Sequence, residues 1–186
     1  MIRDHVEFDA ALFGDIVIAK NLEEPLYNVA NVIDDYLMKI SHVIRGEEHL
    51  ANTPKQILLQ RALGFTSPAY AHLPLILDPD RSKMSKRYSA TSLEEYRKAG
   101  YLPEALMNFI ALLGWHLSDD REVLSKEELI QNFDLSRVQK SGAVFNVEKL
   151  NWLNSQYIKN ASEDRLLEII KEIFGEEFGN LPLTRR

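Results

Sequence analysis

The sequence predicts an α/β segment followed by an all-α segment, and three observations carry this. Up to residue 77, stretches of helical spacing alternate with β-branched runs. After residue 90 nearly every segment has helical periodicity with its own start and stop signals. Between them lies "LDPDRSKMSKR" (77–87), rich first in turn formers and then in positive charge. Helices alternating with strands imply layered packing with parallel pairing.

The elements follow in order. "DIVIAK" (15–20) reads as a short strand. "PLYNVANVIDDYLMK" (25–39) places Val29, Val32, Ile33, Tyr36 and Leu37 at helical spacing. "ISHVIRG" (40–46) is a β-branched run ended by glycine, hence a strand. "TPKQILLQRALG" (53–64) is a helix: Thr53 can cap it, Pro54 suits the first position, Gln56 completes a capping box and Gly64 ends it. "AYAHLPLIL" (69–77) is a second buried strand. Helices then follow at 92–100 and 125–133, each opened by a Ser–Glu capping box. Three more lie at 102–114, which starts at Pro103 and ends at Gly114, at 146–160 and at 162–175.

Composition narrows the function classes. At 186 residues the chain can form one large domain or two small ones. Its 45% hydrophobic and 27% charged residues are ordinary for a folded protein. No apolar run approaches the roughly 18 residues of a membrane span, and "MIRDHVEFDA" lacks the apolar centre of a signal peptide. The absence of cysteine excludes disulfides and thiolate metal sites and fits a reducing cytoplasm. A net charge of -6 argues against a uniformly basic surface, so a nucleic-acid partner requires local patches.

Three stretches carry chemistry. In "RSKMSKR" (81–87), Arg81, Lys83, Lys86 and Arg87 are basic and no acid intervenes. A strand followed by a turn sets these cations beyond the strand's end, where open α/β sheets bind ligands. There they can neutralise charge developing on a triphosphate; a solvated basic loop or a nonspecific RNA patch is the alternative. In "YNVANVIDD" (27–35), Tyr27 and Asn31 share a helix face, as a binding pair or as a packed tyrosine beside an exposed asparagine. In "VIRGEEHLANTPKQ" (43–56), Arg45 ends an apolar strand, placed for a carboxylate or for an ion pair with a nearby acid. Glu47 and Glu48 follow it as acceptors for a ribose or an amine. The five histidines show no metal-ligand spacing, and the Asp pairs at 34–35 and 119–120 read as helix-surface and turn residues.

Taken together, "YNVANVIDDYLMKISHVIRGEEHLANTPKQILLQRALGF" (27–65), "HLPLILDPDRSKMSKR" (72–87), "SLEEYRKAGYLPEALMNFIALLGW" (92–115) and "VFNVEKLNWLN" (144–154) resemble the bacterial-type glutamyl-tRNA synthetases, which are class I aminoacyl-tRNA synthetases. The resemblance covers nearly all of residues 7–160. The basic loop is similar to the class I KMSKS signature, with Arg87 in the last position. The resemblance implies the second half of a Rossmann-type catalytic domain at 1–77, a signature loop and helical stem-contact domain at 78–160, and the start of an anticodon-binding region at 161–186. It implies that Tyr27, Asn31 and Arg45 line a glutamate pocket with Arg45 on the side-chain carboxylate. Glu48, Met84, Ser85, Lys86 and Arg87 would contact ATP, and Lys83 and Lys86 would act in catalysis. ATP with Mg2+ enters as substrate, with no tightly bound cofactor or zinc. The implied partners are L-glutamate, ATP and tRNA, for a cytoplasmic monomer with no membrane contact.

The implied chemistry is attack of glutamate on the α-phosphate of ATP, then transfer of the glutamyl group to the terminal ribose of tRNA. One family feature is absent: no His-x-Gly-His-type motif occurs in the chain. The expectation is therefore a fragment, inactive in aminoacylation by itself. A stand-alone tRNA- or glutamate-binding module and a glutamyl-queuosine-type paralogue are the alternatives.

Overall fold

The computed structural model describes residue 2, residues 5–84 and residues 92–175. The chain divides into two compact units, one of residues 1–75 with 138–141, the other of 76–137 with 142–186.

In the first unit a small antiparallel pair, β1 (Ala19–Asn21) and β2 (Glu24–Pro25), precedes helix α1 (Tyr27–Leu37). Strand β3 (His42–Gly46), a 3-10 helix (Glu47–Asn52), helix α2 (Thr53–Leu63) and strand β4 (Ala69–Leu73) follow. β3 and β4 pair in parallel, with Val43 opposite Tyr70 and Arg45 opposite His72. The expected alternation of helix and strand with parallel pairing is thus present. α1 packs on α2, and its apolar spacing buries Val32 to 1% exposure. α2 ends where Gly64 takes φ 70, a left-handed conformation that glycine adopts without a Cβ penalty. The Tyr36 and Phe65 rings stack 3.7 Å apart where the chain turns back to β4.

Three local expectations need correction. Of "DIVIAK" only Ala19 and Lys20 lie in a strand. Val17 and Ile18 are exposed, so no core face selects an extended ladder there. The Thr53–Gln56 capping box does not form. The 3-10 helix runs directly into α2, Asn52 and Thr53 both have right-handed helical dihedrals, and there is no free helix start to cap. The stretch 69–77 is not one strand. It breaks at Pro74–Leu75, and β5 (Ile76–Leu77) pairs with a different partner. Proline has no N–H for a ladder, so pairing on that register stops there.

In the second unit β5 lies parallel to β6 (Ala143–Val144), a two-residue strand too short to show periodicity in sequence. Five helices follow the expected order: α3 (Leu93–Lys98), α4 (Pro103–Ala111), α5 (Lys126–Asn132), α6 (Val147–Asn160) and α7 (Glu163–Phe174). Capping boxes form at Ser92 with Glu95 and at Ser125 with Glu128. Asn146 and Ser162 cap α6 and α7 from their side chains. The core joins Leu106 and Phe109 of α4 to Phe145 and to Leu150 and Leu153 of α6. Each such side chain contributes roughly 1.5–3 kcal/mol by leaving water. A buried polar tie crosses this core: Asn108 Oδ1 accepts the Leu124 N–H at 2.8 Å and the Tyr157 hydroxyl at 2.7 Å. Asn154 pins the turn before α4, accepting from Leu102 N–H at 2.8 Å and donating to the Gly100 carbonyl at 3.1 Å.

Candidate functional site

Arg45 is the centre of the first unit's polar chemistry. It stands near the end of β3, half-buried, with its Cζ 5.4 Å from the centre of the Tyr70 ring. Its Nη2 donates to Thr53 Oγ1 and to Gln56 Oε1, each at 2.7 Å. Both acceptors are neutral, so the hydrogen bonds leave the positive charge uncompensated. Nε and Nη1 are buried and have no hydrogen-bond partner. A guanidinium in that state is a donor set aimed at an anion.

The supporting residues form a continuous chain. Gln56, with no exposed surface, donates through Nε2 to Asn28 Oδ1 at 3.2 Å, tying α2 to α1. Thr53 Oγ1 lies 2.9 Å from His72 Nε2 on β4 and donates to the His49 carbonyl at 3.3 Å. That hydroxyl has one proton and two lone pairs, so all three contacts are satisfied when His72 Nε2 carries hydrogen. Gln60 donates to the Tyr70 hydroxyl at 2.9 Å. Burial pushes the Tyr70 phenol above its ordinary pKa, opposed by the Gln60 bond and the Arg45 charge.

On α1, Tyr27, Asn31 and Asp35 recur every four residues and so lie on one face. Tyr27 is exposed, its ring 5.7 Å from the ring of His49. Asn31 Oδ1 and Asp35 Oδ2 are buried acceptors without a partner. Burial raises the Asp35 carboxyl above its ordinary pKa, and the Arg45 charge pulls it back. Orphan donors on Arg45 and orphan acceptors on α1 together suit a ligand that carries both an anion and N–H groups.

Glu48, in the 3-10 helix, folds its exposed carboxylate over Gly46. A Cβ built on Gly46 would lie 2.1 Å from Glu48 Oε2. Two cavities flank the arginine's partners. One of about 640 Å3 meets Thr53, Tyr70 and His72. The other, of about 410 Å3, is walled by Val32, Asp35 and Gln60. Tyr27, Asn31 and Arg45 line neither.

In the second unit the turn after β5 is tight. Asp78 and Ser82 close it through a backbone bond of 2.9 Å, Arg81 takes φ 66, and Lys83 bridges back to Leu77. Asp80 accepts the Ser82 N–H at 2.8 Å, and these bonds to Ser82 hold its carboxyl below the ordinary pKa. Lys83 is exposed, whereas Met84 packs against the helical core. Ser85, Lys86 and Arg87 lie outside the described residues.

Sequence reasoning named Tyr27, Asn31, Arg45 and Glu48 but missed Thr53, Gln56, Asp35, Tyr70 and His72. Thr53 and Gln56 carried a signal that had a second meaning: a Thr-x-x-Gln pattern on the helix after a strand-end arginine supplies two neutral acceptors. Tyr70 and His72 gave no signal, because only the β3–β4 register sets them beside Arg45.

The first unit is thus a parallel β-α-β unit carrying a half-buried arginine with unfilled donors. The family described as class I tRNA synthetases (E and Q), catalytic domain, matches residues 1–152, and the chain belongs to that family. A glutamate–tRNA ligase of Natranaerobius thermophilus is 52% identical over 172 residues, which is 92% of this chain and 35% of the relative. Glutamate–tRNA ligase 1 of Caldicellulosiruptor saccharolyticus is 55% identical over 176 residues, 95% of this chain and 36% of the relative. The crystal structure of a glutamate–tRNA synthetase from Elizabethkingia anophelis superposes with a TM-score of 0.78 at 40% identity, over 91% of this chain and 38% of that one. A glutamate–tRNA ligase from Elizabethkingia meningosepticum, solved in complex with its amino acid, gives 0.77 at 40% identity, over 90% of this chain and 36% of that one. The chain thus spans about a third of the length of the relatives it matches.

Proposed function

We propose that the first unit binds L-glutamate for a glutamate–tRNA ligase reaction, with Arg45 reading the side-chain carboxylate. The carrying observation is the Arg45 guanidinium, fixed through Nη2 on neutral partners and left with buried, unfilled Nε and Nη1. An uncharged glutamine side chain would leave that charge unpaired, which is a strong basis for rejection. Support also comes from family membership and from the related ligase solved with its amino acid.

Tyr27 and Asn31 contact the ligand from α1, outside the two cavities described above, and Asn31 Oδ1 is an acceptor for a ligand N–H. Glu48 contacts ATP, which enters with Mg2+ as substrate. Lys83 and Lys86 stabilise the charge that develops as glutamate attacks the α-phosphate, and Met84, Ser85 and Arg87 complete the signature loop. Met84 itself packs against the helical core. In domain terms, residues 1–77 form the second half of the catalytic domain. Residues 78–160 form the loop and stem-contact region, and 161–186 begin the anticodon-binding helices. The acceptor is the terminal ribose of tRNA, in the cytoplasm. With no His-x-Gly-His motif in the chain, aminoacylation by this chain alone is not expected.

The test is a titration of the isotopically labelled chain with L-glutamate and with L-glutamine, read at the Arg45 side chain. Glutamate is expected to shift the Arg45 Nε signal and glutamine not to. An equal response to both, or a glutamate response that survives Arg45→Met, overturns the reading.

A further inference from the structure

We propose that Thr53 and Gln56 are positioning residues for Arg45: by holding Nη2 they fix which donors of the guanidinium face an anion, leaving Nη1 and Nε. A guanidinium carries five N–H donors in two parallel forks, one between Nη1 and Nη2 and the other between Nε and Nη2. Both forks share Nη2. Here Nη2 has both its hydrogens engaged, at 2.7 Å to Thr53 Oγ1 and 2.7 Å to Gln56 Oε1. A carboxylate therefore cannot take either fork while those two bonds persist. Arg45 meets its anion one-sidedly, through Nη1 or Nε, and selectivity rests on charge and on the fixed ring of neutral partners.

The positioning residues are themselves anchored from behind. Gln56 has no exposed surface and its amide is tied to Asn28 on α1. Thr53 is 8% exposed and is held between the His49 carbonyl and His72 Nε2. Tyr70 closes the guanidinium face, its hydroxyl held by Gln60. The acceptor at residue 56 has to be neutral. A carboxylate there would compensate the guanidinium and cancel the charge offered to a ligand, while holding Nη2 at least as firmly. Residue 56 thus adjusts the charge at the guanidinium, alongside the Asp35 carboxyl, without touching the ligand.

The positioning role stands on this chain's own contacts; only the identity of the anion rests on the glutamate reading above. The experiment is nitrogen-15 spectroscopy of the arginine side chains in the full chain. Rotation about Nε–Cζ exchanges Nη1 with Nη2, and bonds at Nη2 slow it. Wild type is expected to show separate Nη1 and Nη2 signals for Arg45. Gln56→Met and Thr53→Val are expected to speed the exchange at least about tenfold, the loss of a bond to a charged group. Gln56→Glu is expected to keep the signals separate while weakening the Arg45 response to L-glutamate at least about tenfold. Merged signals in wild type overturn the proposal, as does an unchanged exchange rate in a folded Gln56→Met chain. Should Gln56→Met fail to fold, the wild-type and Gln56→Glu spectra decide alone. If the signals separate as expected but glutamate shifts nothing, positioning stands and the glutamate reading falls.

Discussion

Replacing Gly46 with alanine tests whether the backbone at the end of β3 sets the place of Glu48. Gly46 has φ -66 and ψ 151, which any residue adopts, so alanine brings no backbone strain. What it brings is a methyl group 2.1 Å from Glu48 Oε2, 2.6 Å from Cδ and 2.8 Å from Oε1. Reaching ordinary contact requires the carboxylate to move by at least about 1 Å. Glu48 is exposed and can swing aside, and alanine restricts the unfolded chain, so stability should change by less than about 1 kcal/mol. If Glu48 contacts the reacting substrate as proposed above, a displacement of about 1 Å costs on the order of 10²-fold in rate. The assay is glutamylation of tRNA by a full-length synthetase carrying Gly46→Ala, together with thermal unfolding of the chain. A large fall in rate with an unchanged melting temperature is the expected result. Unchanged rate and unchanged melting would refute the placement of Glu48. A destabilisation beyond about 2 kcal/mol would show that glycine serves the backbone instead.

Other outcomes follow from the same contacts. Asn108→Ala should destabilise the second unit by about 2–4 kcal/mol, because the Leu124 N–H loses its buried acceptor and a cavity opens; urea unfolding measures it. Asp35→Asn should stabilise the chain at neutral pH. The Asp35 pKa is raised on folding, so the native state favours the protonated form, and the advantage of asparagine should vanish as pH falls below the unfolded value near 4. Paired unfolding curves at pH 7 and pH 3.5 check the sign. Ser125→Ala removes one half of a capping box and should cost about 1 kcal/mol, read from the melting temperature. Arg121→Gln should raise the pH at which the chain acid-unfolds. Asp119 and Glu128 titrate below their ordinary range, Asp119 mainly because of its Arg121 bond and Glu128 through the Ser125 N–H and then Arg121. Their stabilisation is present above the unfolded values and is lost as pH falls through the folded ones.

The helices of the second unit were legible because each carries its own punctuation: Ser92 and Ser125 with their glutamates, Pro103 at a first position, Gly100 and Gly114 at left-handed stops. β3 was legible from its β-branched run. The break at Pro74–Leu75 and the two-residue β6 were not, since pairing across long separations leaves no local mark. The Thr53–Gln56 misreading has a definite physical origin. Capping acceptors and acceptors for a guanidinium are the same chemical groups, and only the 3-10 helix running into α2 removes the first use. His72 and Tyr70 reach the arginine through strand register alone.

Among the described residues the β3–β4 sheet has two strands, too few to be rigid by its ladder. Arg45 ties β3 to α2 through Thr53 and Gln56, Gln60 ties α2 to β4 through Tyr70, and Gln56 ties α2 to α1 through Asn28. The groups that would discriminate a ligand are therefore also the cross-braces of the first unit. A change of specificity at Arg45 cannot be made as a single substitution without loosening the frame around it.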